Sequence, residues 1–357
     1  MATILDSRDD IAKLDIGNGL KSIEELGSQI KQAWEETRML DIPAHYGYAQ
    51  NVVVAGMGGS AYGTHVIQTL FKDELKIPVF SIPDYTLPSW VNEKSIVLLS
   101  SYSGSTEETL AAGEDAKAKK AKVIGLTSGG KLEEFLRANG YPAYVFKPQY
   151  NFCNVPRYAL GYSVFGQIAL LQRLGLLTIT QEDVNQVLEI VADVHIKNGV
   201  AAPSDTAAAK LLAYECVEKI PIVVVSDFLE GAAHVVANAF NETAKNYSEY
   251  RVVPELNHHL MEGLAFPKSN DSNLVFLTMH SSFYNPSNAK RMKLTESVIE
   301  QNKNEFRSMT LGAKTKLAQV FELLTFGAYA SFYLAMLNNQ NPTPNVWVDW
   351  FKAELKK

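Results

Sequence analysis

The sequence has few cysteines, no excess of positive charge and no long uninterrupted apolar run. Only two cysteines occur in 357 residues, Cys153 and Cys216, and they form no C-x-x-C pair, so neither a disulfide framework nor a cysteine metal site is expected. The formal net charge of -6 argues against a nucleic-acid partner, because phosphate backbones are bound by clustered Lys and Arg. No apolar stretch approaches the roughly 18 residues of a membrane helix, and the charged N-terminus is unlike a secretory signal. We therefore expect a cytoplasmic protein that binds neither membranes nor nucleic acid.

The order of local patterns in the first half is that of an α/β protein. After about 45 residues of helical spacing, apolar runs alternate with helix-forming segments. Strands are predicted at residues 52–55, 78–81, 96–100, 122–126 and 143–146, with helices at 61–71, 107–120 and 132–139 between them. This alternation predicts a mostly parallel sheet that is flanked by helices.

A similar alternation follows a proline-containing stretch at residues 199–205. Helices are predicted at 206–219, 231–248, 288–302 and 317–337, strands at 222–225 and 274–279, and a strand-like or irregular piece around 306–312. Because the length suits two domains, we predict a helical segment over residues 1–45, a first α/β domain over 46–195 and a second over 196–357 with C-terminal helices.

Two loops rich in glycine and hydroxyl side chains each connect a predicted strand to a predicted helix. The first contains Gly58, Gly59 and Ser60, and the second contains Ser101, Ser103 and Thr106. Backbone N–H groups at a helix start lack partners and the helix dipole favours negative charge there, so added hydroxyls suit a phosphate group. The G-x-G-G-S-x-x-G spacing departs from the dinucleotide pattern G-x-G-x-x-G, which favours a small phosphomonoester. For the second loop, an ordinary capped turn is the alternative.

Three further positions carry groups suited to catalysis. Arg157 is either a surface cation, a carbonyl partner, or a group that stabilises an enediolate oxygen. Glu242 lies in a largely apolar predicted helix, where it either pairs with Lys245 or moves a proton between adjacent carbons. For His258 and His259 an acid/base role is favoured over a metal site, because no H-x-x-x-H spacing accompanies them. No metal ion is expected.

Together these motifs resemble those of the bifunctional phosphoglucose/phosphomannose isomerases, a branch of the sugar isomerase (SIS) domain family. The matching segments are G-M-G-G-S at 56–60, S-Y-S-G-S-T-E-E at 101–108, V-P-R at 155–157, N-E-T-A-K at 241–245 and P-E-L-N-H at 254–258. They occur in the family's order and span nearly the whole chain. The resemblance implies two SIS domains, no cofactor, and a homodimer with active sites at the subunit interface.

The resemblance also implies a role for each candidate residue. The sugar 6-phosphate would be held by the two loops, with Ser60, Ser101, Ser103 and Thr106 as its hydroxyl donors. Glu242 would carry the proton between C1 and C2 through a cis-enediol that Arg157 stabilises. His258 would help to open the sugar ring, from its own or the other subunit. Lys352 would serve as the C-terminal catalytic lysine, and Thr343 as a threonine linked to accepting mannose 6-phosphate.

Two positions depart from the family pattern. His259 replaces the usual Asn after the ring-opening His, and Thr243 replaces the second Asn of N-E-N. These changes bear on which histidine acts and on substrate preference rather than on the class of reaction.

The function that this predicts is the interconversion of glucose 6-phosphate, and of mannose 6-phosphate, with fructose 6-phosphate. The main alternative is a non-catalytic SIS protein that binds a sugar phosphate as a regulator. Such proteins usually bring a DNA-binding domain, whereas only about 45 residues precede the first predicted strand here. An amino-sugar isomerase would need a glutaminase domain, and a Rossmann dehydrogenase would need a nicotinamide.

Overall fold

The alternating strands and helices form two parallel sheets. The structure is a computed structural model that describes residues 3–355 and 357. One sheet has the strand order β2-β1-β3-β4-β5 and the other β7-β6-β8-β9, and every pairing is parallel. The strands are β1 (Asn51–Gly56), β2 (Val79–Ser81), β3 (Ser95–Ser101), β4 (Lys122–Thr127), β5 (Ala143–Val145), β6 (Ile220–Ser226), β7 (Glu249–Val253), β8 (Leu274–His280) and β9 (Glu305–Thr310). The predicted fold class is confirmed.

Helices precede, connect and follow these strands. They are α1 (Arg8–Leu14), α2 (Gly19–Glu24), α3 (Leu26–Thr37), α4 (Tyr62–Leu70), α5 (Glu107–Ala118), α6 (Gly130–Ala138), α7 (Gly166–Arg173), α8 (Gln181–Asn198), α9 (Ala208–Glu215), α10 (Glu230–Glu242), α11 (Asn270–Asn273), α12 (Pro286–Gln301), α13 (Lys316–Leu337) and α14 (Val346–Glu354). The predicted helical segment over 1–45 contains α1 to α3, and its residues 1 and 2 lie outside the described part. The division of the chain at residue 195 stays a prediction.

The order of the first sheet determines where a ligand can bind. Every residue of β3 is buried, as expected for a strand covered by helices on both faces. From β1 the chain passes to β2 on one side, whereas β3 leads to β4 on the other. The connections therefore diverge between β1 and β3, and such a switch point opens a crevice at the carboxyl ends of the strands. Both hydroxyl-rich loops begin at that point.

Two helices from different halves of the chain pack in direct contact beneath this crevice. Gly231 of α10 lies against α4, and a Cβ atom there would approach the carbonyl oxygen of His65 to 2.2 Å. Gly327 of α13 allows a similar approach to Val236, where an added Cβ would lie 2.5 Å from the side chain. The largest cluster of buried apolar residues includes residues from strands of both sheets. This packing brings the end of α10 close to the loops of the first sheet.

The expectation that no segment reaches membrane-spanning length is wrong for α13. Lys316–Leu337 is long and apolar enough to cross a membrane, with a mean hydropathy of 1.5 in its 18-residue window. Within the fold, however, 89% of that window is buried. The apolar surface of α13 is thus used to pack against α8, α9 and α10.

The predicted helix over 231–248 is too long. The helix ends at Glu242. Residues 249–253, for which no element is predicted, form β7, which pairs with β6. Lys245 adopts a positive φ of 57°, a conformation that no α-helix continues through. The side chain of Asn241 accepts a hydrogen bond from the backbone N–H of Ser248 and stabilises the turn. The consequence is that Glu242 lies at the end of a helix, beside a loop.

Candidate active site

A cavity of about 870 Å³ opens at the carboxyl ends of β1 and β3. It is bounded by the two hydroxyl-rich loops, the segment around residue 156, the end of α10, and the C-terminal segment that includes α14. The predicted site residues that line it are Gly58, Gly59, Ser60, Ser103, Thr106, Arg157, Glu242, Thr343 and Lys352. Ser101 and His258 are not among its lining residues.

The first loop is held against the second by Ser60. Its hydroxyl oxygen accepts a hydrogen bond of 2.9 Å from the backbone N–H of Tyr102, and its carbonyl oxygen accepts one of 2.7 Å from the side chain of Gln167. Gly59 packs so closely that an added Cβ would lie 3.1 Å from Pro156. The hydroxyl hydrogen of Ser60 is therefore available for donation toward the cavity.

The second loop offers hydroxyls and uncapped backbone N–H groups at one point. The hydroxyl oxygens of Ser103 and Ser105 lie 3.0 Å apart, and Thr106 precedes α5 without capping it through its side chain. Gly104 has a φ of 65°, and a Cβ there would approach the carbonyl oxygen of Gly129 to 1.8 Å, so only glycine fits. These groups can receive an anion at the helix N-terminus.

Ser101 supports this loop from behind. Its side chain is buried, and its hydroxyl oxygen lies 2.8 Å from that of Thr106. Ser105, which the sequence reasoning did not single out, instead lines the cavity. Its position in the S-Y-S-G-S-T motif is the feature that could have identified it.

Arg157 is a buried cation at the floor of the cavity, with a side chain only 3% exposed. Its Nε donates to the hydroxyl of Thr243 at 3.1 Å, and its Nη2 donates to the carbonyl oxygens of Pro342 and Thr343. Its Nη1 lies 3.5 Å from Oε2 of Glu242 and has no hydrogen-bond partner among residues 3–355 and 357. The surface-cation interpretation is wrong and the carbonyl-partner interpretation is correct.

Both oxygens of the Glu242 carboxylate are hydrogen-bonded. The phenol of Tyr62 donates to Oε1 at 3.2 Å, and the side-chain amide of Asn345 donates to Oε2 at 2.8 Å. Burial, and secondly the carboxylate itself, raises the pKa of Tyr62 well above its usual value, so the phenol remains a donor. Because 32% of the Glu242 side chain is exposed, the carboxylate also faces the cavity.

Lys245 does not pair with the Glu242 carboxylate. Its Nζ donates to the backbone carbonyl of Glu242 at 2.6 Å and to that of Pro344 at 2.5 Å. It thereby satisfies a carbonyl at the end of α10 and attaches the C-terminal segment to it. The structural Glu–Lys pair, the alternative that the sequence left open, is thus wrong.

The C-terminal segment closes one side of the cavity. The hydroxyl of Thr343 donates to Asn341 at 2.9 Å and packs against Gly17, where a Cβ atom would lie 2.4 Å from it. Lys352 lines the cavity from α14. No residue of α14 is buried, and Trp347 is 80% exposed.

The two histidines lie elsewhere in the chain. His258 ends a short helical turn over Glu255–His258, and His259 lines a separate cavity of about 420 Å³ with Glu230 and His234. Within the described residues, no group of three or more His, Cys, Asp or Glu side chains is placed to share a metal ion. Within one chain, then, Glu242 lines the large cavity and His258 does not.

Comparison with known proteins identifies the family. Residues 205–355 match the model of the bacterial phospho-glucose isomerase C-terminal SIS domain. A protein of Caldicellulosiruptor bescii named bifunctional phosphoglucose/phosphomannose isomerase is 32% identical to this chain, over 94% of this chain and 98% of that protein. The chain belongs to the bifunctional phosphoglucose/phosphomannose isomerase family. The resemblance that the motifs indicated is confirmed.

Further relatives agree with this isomerase family assignment. A protein of the same name from Aquifex aeolicus is 26% identical, over 94% of this chain and 99% of its own. Among solved structures, a hypothetical protein from Thermus thermophilus superposes with a TM-score of 0.74 at 15% identity, covering 95% of this chain and 90% of that one. At that identity the likeness concerns the fold alone.

Two residues of the candidate site have no signature in the sequence. In the sequence, Tyr62 is an ordinary residue at the start of a predicted helix, and Asn345 follows a proline-rich turn. Only the packing of α4 against α10, and the return of the C-terminus to the same place, brings both to Glu242.

Proposed function

We propose that this protein interconverts glucose 6-phosphate, and also mannose 6-phosphate, with fructose 6-phosphate, without a cofactor. The observation that carries the proposal is that a carboxylate, Glu242, and a buried guanidinium, Arg157, share one cavity with two hydroxyl-rich loops. The names of the relatives support the choice of substrates. A cofactor is unnecessary because the reaction moves a proton between neighbouring carbons with no net oxidation.

The phosphate group is assigned to the two loops. Hydroxyls of Ser60, Ser103 and Thr106 line the cavity, and the N-terminus of α5 adds backbone N–H groups with a favourable dipole. Gly58 adopts a φ of 50° in this loop, and Gly59 leaves no side chain between the loop and Pro156. Ser101 contributes by holding Thr106 in place. The loops would thus fix the substrate and leave C1 and C2 to reach the base.

The chemical step is assigned to Glu242 and Arg157. In the open-chain aldose, Glu242 removes the C2 proton, the electrons of that C–H bond form the C1=C2 double bond, and O1 takes up the proton of the neighbouring O2–H as the cis-enediol intermediate forms. Glu242 then returns its proton to C1 as the C2=O2 carbonyl forms, which gives the ketose with its hydroxyl on O1, and the reverse path uses the same groups. Arg157, whose Nη1 has no hydrogen-bond partner among the described residues, is proposed to stabilise the negative charge that develops on the oxygen. Lys352 and Thr343, on the same cavity wall, are proposed to contact the sugar hydroxyls.

Ring opening is assigned to His258 in a homodimer. His258 does not line the cavity of its own chain, so we propose that it serves the site of a second subunit. The exposed aromatic face of α14, in which Trp347, Trp350 and Phe351 are 80%, 57% and 56% exposed, supports an assembly that covers this helix. Mixing Glu242→Gln with His258→Ala chains tests the arrangement. Heterodimers regain activity only if His258 acts on the other subunit.

A coupled assay tests the proposed activity. Fructose 6-phosphate is supplied, and glucose 6-phosphate and mannose 6-phosphate are detected with separate coupling enzymes. We expect both products. Binding of fructose 6-phosphate without any turnover would instead favour the regulatory, non-catalytic alternative. The proposal places the enzyme in the cytoplasm, which agrees with two unpaired cysteines.

A further inference from the structure

We propose that Asn345 is a positioning residue, which holds the carboxylate of Glu242 in the orientation that proton transfer requires. The inference rests on the proposed function, since it concerns the same base. In this proposal Asn345 contacts the carboxylate of Glu242 and no reacting atom of the substrate. It acts through Glu242, and its effect is therefore on the rate of the chemical step.

The first observation is that the carboxylate is held from both sides. Asn345 donates to Oε2 at 2.8 Å and Tyr62 donates to Oε1 at 3.2 Å. A carboxylate with one fixed donor on each oxygen cannot rotate freely about its last torsion. Because a proton moves between carbons that differ little in position, a base whose angle is fixed is an advantage to the reaction.

The second observation is what Asn345 does not do. It is the residue before α14, at the N-cap position, where asparagine ordinarily accepts a hydrogen bond from the first turn of its own helix. Here no such bond is formed. The side chain is directed to Glu242 instead, so helix capping does not account for the asparagine.

The third observation is how firmly the backbone of this segment is attached. Residues 341–345 form what we call the strap. Arg157 donates to the carbonyl oxygens of Pro342 and Thr343, and Lys245 donates to that of Pro344. Three consecutive carbonyls are thus held by two cations before the chain reaches Asn345. The strap therefore fixes the amide that orients the base, and at the same time orients the guanidinium.

The test compares three variants of the full chain by steady-state kinetics with fructose 6-phosphate. Asn345→Ala removes the donor, and we expect kcat to fall roughly ten- to a hundredfold while KM changes less than about threefold. Two cations face this position, since Lys245 Nζ lies 3.5 Å from Oδ1 of Asn345 and Arg157 Nη1 lies 3.5 Å from Oε2 of Glu242. Asn345→Asp replaces the amide that donates to Oε2 with a second carboxylate, closer to the Glu242 carboxylate than Lys245 is, so the acid limb of the kcat/KM pH profile should move upward. The matched control is Asn285→Ala. Asn285 caps α12 through Ser287, so its loss should lower thermal stability and leave kcat unchanged.

The outcomes separate the inference from the function it rests on. An unmodified chain that isomerises no sugar phosphate would overturn both. An active chain whose Asn345→Ala and Asn345→Asp variants keep the kcat and pH profile of the parent would overturn the inference alone. If Asn345→Ala fails to fold, Asn345→Asp tests the positioning role alone. It changes only the amide nitrogen of the side chain, and its effect is measured as a shift of the pH profile.

Discussion

The guanidinium of Arg157 lies 3.5 Å from the carboxylate of Glu242. The two residues come from different parts of the fold, since Arg157 follows the first sheet and Glu242 ends a helix that packs on the second. The arginine is buried and the glutamate is partly open to the cavity. The pair therefore combines a fixed cation with a carboxylate that a ligand can reach, as the proposed enediol mechanism requires.

Removing the charge of Glu242 should abolish isomerisation and leave ligand binding intact. We expect Glu242→Gln to lower kcat by about 10²–10⁴ or more, because general base catalysis is lost. The affinity for fructose 6-phosphate, measured by calorimetry, should change little, since the phosphate loops are untouched. Glu300→Gln, on the exposed side of α12, is the matched control and should retain full activity. A Glu242→Gln variant with near-normal turnover would remove Glu242 as the base.

Removing hydroxyls from the second loop should weaken binding of phosphorylated ligands specifically. Hydrogen bonds to a charged group are worth about 1.5–3 kcal/mol each, so Ser103→Ala with Ser105→Ala should raise KM for fructose 6-phosphate roughly tenfold or more. kcat should change little. Stabilisation by inorganic phosphate, read as a shift in Tm, should also diminish.

The control for this loop is Ser287→Ala with Ser297→Ala, two exposed serines of α12. It should match the parent protein in KM and in the phosphate-induced shift. If the loop variant also keeps the parent's KM and shift, the phosphate binds elsewhere.

Breaking the ion pair between buried Lys210 and partly exposed Asp6 should destabilise the whole fold. Lys210 is fully buried, and its Nζ donates to Asp6 at 2.9 Å and to the carbonyl oxygen of Ala202 at 2.7 Å. Asp6→Ala leaves this charge without a counter-ion, so we expect a loss of about 2–4 kcal/mol in the free energy of unfolding. Urea titration at pH 7 measures it. Asp9→Ala, an exposed neighbour, should cost far less, and equal losses in the two variants would contradict the assignment.

The same aspartate predicts a response to acid. Burial alone would raise the pKa of Asp6, but hydrogen bonds from Ser204 and Lys210 outweigh it and hold that pKa well below its usual range. The unfolded chain therefore binds the proton first as the pH falls. The contribution of Asp6 is complete above about pH 4 and is lost progressively below it.

A pair of histidines should also lower the stability of the fold on acidification, at higher pH than Asp6 does. His65 and His234 stand with ring centroids 4.5 Å apart between α4 and α10. Burial, and secondly the neighbouring His234, lowers the pKa of His65 to about 4, and burial also lowers the pKa of His234. The unfolded state takes up protons first, so stability should decrease as the pH falls from about 6.5 toward 4.

Urea midpoints at pH 7.5 and pH 5 test this. His65→Gln should flatten the difference between the two midpoints, whereas His45→Gln, at an exposed position, should preserve it. An unchanged difference in His65→Gln would show that the pair does not control stability in this range.

Secondary structure could be predicted from the sequence where a short run of neighbouring residues determines it. All five strands of the first sheet were predicted within two residues of their bounds, because each is a short apolar run between turn residues. β7 was missed because its turn depends on a left-handed residue, Lys245, and on a side-chain hydrogen bond from Asn241. Neither is visible as a pattern of apolar spacing.

The sequence by itself determined the α/β class, the family, and which loops are chemically suited to a phosphate. These depend on strand-to-helix turns and short motifs, whose chemistry lies in consecutive residues. The tertiary structure alone decided that Tyr62 and Asn345 hold Glu242, that Arg157 is bound by the strap, and that His258 does not line the cavity of its own chain. Those relationships arise from helix packing through close-fitting glycines and from the return of the C-terminus, and such long-range contacts leave no periodicity in the sequence.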